Sequence, residues 1–278
     1  STASARNATA IGAYSKANAN FTLAVGTNAT ASGVAAIAFG AGSNASNTGA
    51  IAKGVNAIAS GENAIAIGTS SASSNTNSTT IGSHSIASGL NSSAFGSLAK
   101  ASGGDSVSVG KGSQATNQGS TALGHSAKAQ AARTIAIGAG SRSNKACAIA
   151  IGQFSRAIAV NATAIGTNVS VSGNNGIAIG SEANAGGENS TGVGTFASAN
   201  GNWSSAYGTS ANSSGGAAIA FGAGSVSSGV GSIVLGTNAS GTANNSIVVG
   251  TEAEASAANA IAIGIEAISN KINTTAVG

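Results

Sequence analysis

The chain has 278 residues, a formal net charge of +4 and only 6% charged side chains; 3% are aromatic, 42 residues are glycine, and Pro and Met are absent. That composition excludes a globular core of large side chains, and the single cysteine, Cys147, excludes an intrachain disulfide framework. No apolar run approaches the roughly 18 residues of a membrane helix, and no basic start leads into an apolar stretch, so export signals are expected outside this segment.

Hydrophobic content of 42% with regularly placed isoleucines argues against a disordered tract, and order has to come from repetition. From Gly12 onward every fourteenth residue is glycine: Gly12, Gly26, Gly40 and so on to Gly278, twenty in phase with no insertion or deletion. Ahead of each glycine comes an alternating triplet such as Leu23-Ala24-Val25, Ile37-Ala38-Phe39 or Ile65-Ala66-Ile67, with Lys53 the one polar residue in the last place. Period two reads as a short strand. After each glycine the third and fifth residues are small, as at Ala29 and Ala31 or Ala57 and Ala59, and the fourth is mostly polar, which predicts a second half-buried strand. The seventh residue is often Gly or Asn, as at Gly33, Asn47, Gly61 and Gly89, so a turn with a left-handed residue is expected there.

One coil is therefore strand, glycine corner, strand, turn. Strands this short, repeating in phase, must each lie on the equivalent strand of the next coil, giving parallel ladders. At about 4.8 Å per coil, twenty coils would make a rod of roughly 95 Å. The predicted fold is an all-β solenoid forming one domain over residues 1–278. The large residues of the triplet are expected to point into the coil, because facing sheets usually sit about 10 Å apart and the opposite strand offers only Ala and Ser. The triplet's Ala positions would then pack on a neighbouring chain, and Lys53, in an inward column, would bend its head group out to water. Two large side chains per coil do not offset the entropy of ordering fourteen residues, so an oligomer is expected.

Segments such as Asn63-Ala-Ile-Ala-Ile-Gly68, Asp105-Ser-Val-Ser-Val-Gly110, Asn245-Ser-Ile-Val-Val-Gly250 and Asn259-Ala-Ile-Ala-Ile-Gly264 resemble the repeated motif of YadA-like heads in trimeric autotransporter adhesins. The resemblance runs through the whole chain. It implies a left-handed parallel β-roll, a homotrimer, and a head held away from a Gram-negative outer membrane by a stalk and a C-terminal barrel, neither of which is recognisable in this segment. Handedness and trimer number come from the resemblance alone. It further implies an extracellular position on the bacterial surface and binding to extracellular matrix or a cell-surface protein; an acidic glycan is the partner expected of the basic residues Lys100, Lys128, Arg142 and Arg156.

No catalytic group, metal site or cofactor is expected. His84 and His125 fall three coils apart, roughly 14 Å along the axis, and no base, nucleophile and orienting group can meet. Gly110-Lys111-Gly112-Ser113 lacks the helix of a phosphate loop, and recurrent Asp, needed for calcium-binding nonapeptide repeats, is missing. The Asn-x-Ser/Thr triplets follow from composition. Nucleic-acid recognition lacks a groove-reading helix or interleaved aromatics.

Two sets of residues are candidate ligand contacts. The fourth residue after the glycine reads Lys100, Gln114, Lys128, Arg142 and Arg156 in consecutive coils, a basic stripe suited to an anionic partner. Phe154, Phe196 and Trp203 are bulky residues outside the core columns, suited to act as binding anchors. Other readings of the same repeat are a structural fibre or spacer without a ligand, and an ice-binding solenoid, which would need an unbroken Thr column where this chain has only pairs such as Thr195 and Thr209.

Overall fold

The computed structural model describes residues 1–278 and consists of strands and turns without helix. Forty strands alternate between two and three residues in length. They fall into two compact units, Ser1–Gly140 and Ser141–Gly278, each with ten coils of one short and one long strand. Within each unit every strand pairs in parallel with the strand fourteen residues on. In the first, Ile65 pairs with Thr79 and Ala72 with Ile86; in the second, Ile177 pairs with Thr191 and Ser170 with Asn184. The fourteen-residue sequence period is thus the hydrogen-bond register, which is the solenoid predicted from the spacing.

Each coil is two near-equivalent halves of seven residues. At the first corner the Ala29 N–H donates to the Gly26 carbonyl (3.2 Å), and at the second the Ala36 N–H donates to the Gly33 carbonyl (3.1 Å). Between those residues Asn28 and Ala35 take left-handed φ values of 58° and 59°, and their N–H groups reach the preceding coil at Ala13 and Asn20. Two left-handed columns therefore run along each unit, on the second and ninth residues after the phased glycine. The second turn lies where the sequence predicts it, but its left-handed residue is two positions beyond the Gly or Asn. Gly33 answers a different need: a Cβ there would lie 2.0 Å from the backbone of Asn47 in the next coil.

The phased glycines are required twice over. Gly40 has φ of +138°, where side chains are strained, and a Cβ on it would lie 2.4 Å from the Gly54 carbonyl oxygen. Buried serines complete the corners. The hydroxyls of Ser43 and Ser113 donate to the Gly40 and Gly110 carbonyls (2.8 Å each), whereas those of Ser141, Ser204 and Ser246 at equivalent corners are buried without a partner.

The interior is made of small side chains, which overturns the expected direction of the triplet. Ala66 is fully buried while Ile65 and Ile67 on either side are partly exposed, and the same alternation holds at Ile149-Ala150-Ile151. Lys53 accordingly faces outward, in the ladder between Phe39 and Ile67, and no inward-pointing stem has to escape. Four inward columns of small residues, such as those of Ala29, Ala31, Ala36 and Ala38, fill the interior, so the spacing of about 10 Å in ordinary facing sheets is no guide to what the coil holds. Where a larger residue enters, its neighbours shrink. Val171 faces Gly176, whose Cβ would meet the valine at 2.8 Å, and Val234 and Val248 enclose Gly241, whose Cβ would meet Val234 at 2.7 Å. Val and Thr are the largest side chains that the interior fully encloses, and such a cross-section leaves isoleucine outside.

Candidate binding surfaces

With Ala and Ser inside, each unit presents two outward sheet faces of opposite character. The two-residue ladder points its first residue at solvent. In the first unit this column carries Lys100, Gln114 and Lys128, paired coil to coil, both lysines exposed. Gln114 separates the two ammonium groups and accepts a hydrogen bond from Gln130 (3.3 Å). In the second unit Arg142 and Arg156 are direct ladder partners, both exposed, with Ser170 following. Neighbouring strands in a ladder lie about 4.8 Å apart, so the like charges of Arg142 and Arg156 repel, and a bound anion relieves that repulsion. The five-residue stripe read from the sequence is thus found as two pieces, one in each unit.

The predicted aromatic anchors all lie in the left-handed columns. Phe154 (φ 55°) and Phe196 (φ 59°) hold the first corner of their coils, and Trp203 (φ 56°) holds the second corner of the coil that also carries Phe196. They are 54%, 52% and 63% exposed. Phe154 holds the corner two residues before Arg156, which opens the strand that follows. Phe196 and Trp203 occupy opposite edges of one coil and do not come together. Tyr14, Phe21 and Leu98 share the same backbone state and are also exposed. A left-handed backbone costs a residue with a Cβ roughly 1–2 kcal/mol, a penalty that the Gly and Asn at many other corners avoid or lessen.

The three-residue ladder is the surface that sequence reasoning missed. Its first and third residues point out of the coil, and in the second unit they include Ile177 and Ile179, Ile219 and Phe221, and Ile247 and Val249, each between 36% and 58% exposed. Tyr207 and Phe221 stack within it, ring centroids 5.9 Å apart. The first unit repeats the pattern with Ile11, Phe39, Ile81 and Leu123. A contiguous apolar stripe of this kind exceeds what a solitary soluble protein ordinarily leaves in water. One signal in the sequence pointed to it: Lys53 in a column otherwise apolar is easily placed on an outer face and hard to place in a core.

Neither outer face gathers catalytic groups. His84 and His125 are both exposed on separate coils of the first unit, and nowhere do three His, Cys, Asp or Glu side chains come within reach of one metal ion. Glu252 and Glu266 follow one another along a left-handed column, and Cys147 is a free, exposed thiol in the other.

Among known proteins, the family model described as the YadA head domain repeat (2 copies) matches eleven stretches, residues 3–29, 31–57, 59–85, 87–113, 115–141, 148–168, 172–197, 213–239, 227–253, 242–267 and 255–278. Among solved structures, the collagen-binding domain of the Yersinia adhesin YadA is similar at 24% identity and a TM-score of 0.37, over 48% of this chain and 67% of that one. No curated protein matches. The phased glycines, the alternating triplets and the parallel coils they build are the repeat that this model describes, and the chain belongs to the family of YadA head domain repeats.

Proposed function

We propose that residues 1–278 work as one non-catalytic head of a homotrimeric surface adhesin, in which the three-residue ladders meet each other and the two-residue ladders form the outer wall. The single observation that carries this reading is the exposed apolar ladder, with Ile177 and Ile179 still 38% and 39% accessible in the isolated chain. Packing that stripe against further copies removes from water the large side chains that the coil interior cannot hold. The wall is left with the polar column and its basic pieces, Lys100 and Lys128 in one unit and Arg142 and Arg156 in the other, with Phe154 at the corner before Arg156. An acidic glycan, or an acidic patch on a matrix or cell-surface protein, fits that chemistry. The head then stands on a bacterial outer membrane through regions outside this segment.

Sedimentation equilibrium of the chain tests the assembly: a trimer is expected, and a stable folded monomer overturns the reading. Binding of the purified chain to immobilised heparin, collagen and fibronectin tests the adhesive role. Saturable binding that weakens with salt is expected for a basic wall. Trimers that bind none of the three would make the chain a spacer instead.

A further inference from the structure

The glycines and the aromatics of the second left-handed column are matched in size by the first. All three glycines of the second column, Gly49, Gly119 and Gly231, sit in coils whose first corner is also glycine, at Gly42, Gly112 and Gly224. Both aromatics of the second column, Phe21 and Trp203, sit in coils whose first corner is aromatic, at Tyr14 and Phe196. Leu98 with Asp105, Phe154 with Asn161, Ser126 with Arg133 and Gly140 with Cys147 show that large and small do combine, so the backbone itself does not force the match.

Nothing within one chain explains this. The two corners of a coil lie at opposite edges of a sheet, roughly 15–20 Å apart at about 3.3 Å per residue, with fully buried Ala and Ser between them. Their side chains point away from one another into solvent: Tyr14 is 75% exposed, Phe21 55%, Phe196 52% and Trp203 63%. Side chains that never meet in their own chain have no reason to agree in size. They acquire one if the first edge of one copy lies along the second edge of the next. A head-to-tail ring with pure rotational symmetry does this for every pair of neighbours and keeps equal coils at equal height. Each corner then faces its own coil's opposite corner, supplied by another copy.

We propose that neighbouring copies of the chain meet corner to corner in register, so that Tyr14 faces Phe21 and Phe196 faces Trp203 of the adjacent copy, while the glycine pairs mark levels where the two backbones approach most closely. This rests on the oligomer proposed above and adds to it the lateral contact, its level and the residues on each side. It also accounts for the strained aromatics: exposed and left-handed in one chain, they become buried partners between two.

Asn56 and Asn63 occupy the two corners of one coil in the first unit, both left-handed and exposed, and Cys147 shows that cysteine is accommodated in that backbone state. In the full chain carrying Cys147→Ser, the double variant Asn56→Cys/Asn63→Cys should, on mild oxidation, form disulfides between chains that close into a covalent ring on non-reducing gels. Asn56→Cys/Asp105→Cys, whose corners differ by three coils or about 14 Å in height, should give none, because a disulfide needs Cβ atoms about 4 Å apart. Asn56→Cys alone should also give none. Cross-linking of that single variant, or of the off-level pair as readily as the level one, overturns the proposal. So does an oligomer, confirmed by sedimentation, in which the level pair fails to link; that result leaves the trimeric head standing. A monomer in sedimentation removes both.

Discussion

The two ladders of a coil obey the same backbone rule and bury the same small residues, yet they treat water differently. Along the three-residue strands the outward third position is Ile, Val, Leu, Phe or Tyr everywhere but at Lys53, and the first is mostly aliphatic with Thr or Ser between, as at Ile219 and Phe221 or Thr191 and Val193. Along the two-residue strands the corresponding position is mostly polar, as at Lys100, Gln114, Lys128, Arg142, Arg156, Asn184 and Asn212, with Ile58, Ile86, Val226 and Ile268 the large apolar exceptions. Since the core is alike for both, the difference reports what lies outside. One face is composed like the inside of a protein and the other like its surface. Charging the first should therefore have a large effect and charging the second a small one. Ile177→Lys/Ile179→Lys places two ammonium groups in the proposed contact, where an unpaired buried charge costs several kcal/mol; sedimentation should show single chains with an unchanged β-sheet circular dichroism spectrum. Asn184→Lys, in the other ladder of the second unit, should leave the assembly intact. If both variants assemble, the contrast between the faces has another origin.

The core offers a second way to sharpen the comparison, because its tightness is what forces the large side chains outward. Gly241 lies between Val234 and Val248, and an added methyl group would stand 2.7 Å from Val234 Cγ2 and 2.9 Å from Ser246 Oγ. Gly241→Ala should destabilise the second unit by about 1–3 kcal/mol through overpacking, read as a lower thermal midpoint. Val234→Ala in the same chain should recover most of that loss, since it restores the Ala composition of other coils. Failure of the rescue would mean that the interior has slack, and the outward isoleucines would then need another explanation.

Edges and faces also differ in how they are held. Asn175 donates to Asn189 (3.0 Å) and accepts from Asn161 (2.9 Å) along the second left-handed column, an amide ladder that fixes the corners one upon another. Asn175→Ala removes both bonds, each contributing roughly 0.5–1.5 kcal/mol, and replaces a residue that tolerates the left-handed state with one that resists it. Amide exchange should rise locally in the coils of Asn161, Asn175 and Asn189. The coil of Ala217, which already lacks an Asn in that column, should not change.

Period, strand placement, parallel register and both turns were legible in the sequence because a solenoid turns offset directly into position: residues fourteen apart are neighbours, as Ile65 and Thr79 are. Which side of the triplet faces inward was not. Alternation specifies two faces without naming them, and the usual spacing of sheets favoured Ile inside, whereas four columns of mostly Ala and Ser fill this interior between them. The left-handed residues were misplaced by two positions for a related reason. Gly33 is small to let the next coil approach, and Ala35, which carries the positive φ, gives no sign of it. The basic residues were assigned to an outer strand face and lie on one. Their grouping into a pair with a Gln spacer and a pair without becomes meaningful only once Lys100 and Lys128 are in one unit and Arg142 and Arg156 in the other.

That last distinction yields the smallest effect and the most specific one, because it predicts a sign. Arg142 and Arg156 are adjacent in the ladder, so each destabilises the other slightly. Lys100 and Lys128 are two coils apart, about 10 Å, and largely screened at physiological salt. Removing charge from the arginine pair, as Arg142→Ser/Arg156→Ser, should leave stability unchanged or raise it by a few tenths of a kcal/mol, most visibly at low salt. Lys100→Ser/Lys128→Ser should leave it unchanged within about 0.5 kcal/mol. Residues kept for solubility alone would give these stabilities with no change in heparin retention. Residues kept for an anionic ligand would lose retention in both variants, and more in the arginine pair, whose paired guanidinium groups bind an acidic partner bidentately. A rise in stability accompanied by a loss of binding would mean that the chain carries a repulsion which only a ligand relieves, and would distinguish an adhesive wall from a merely wettable one.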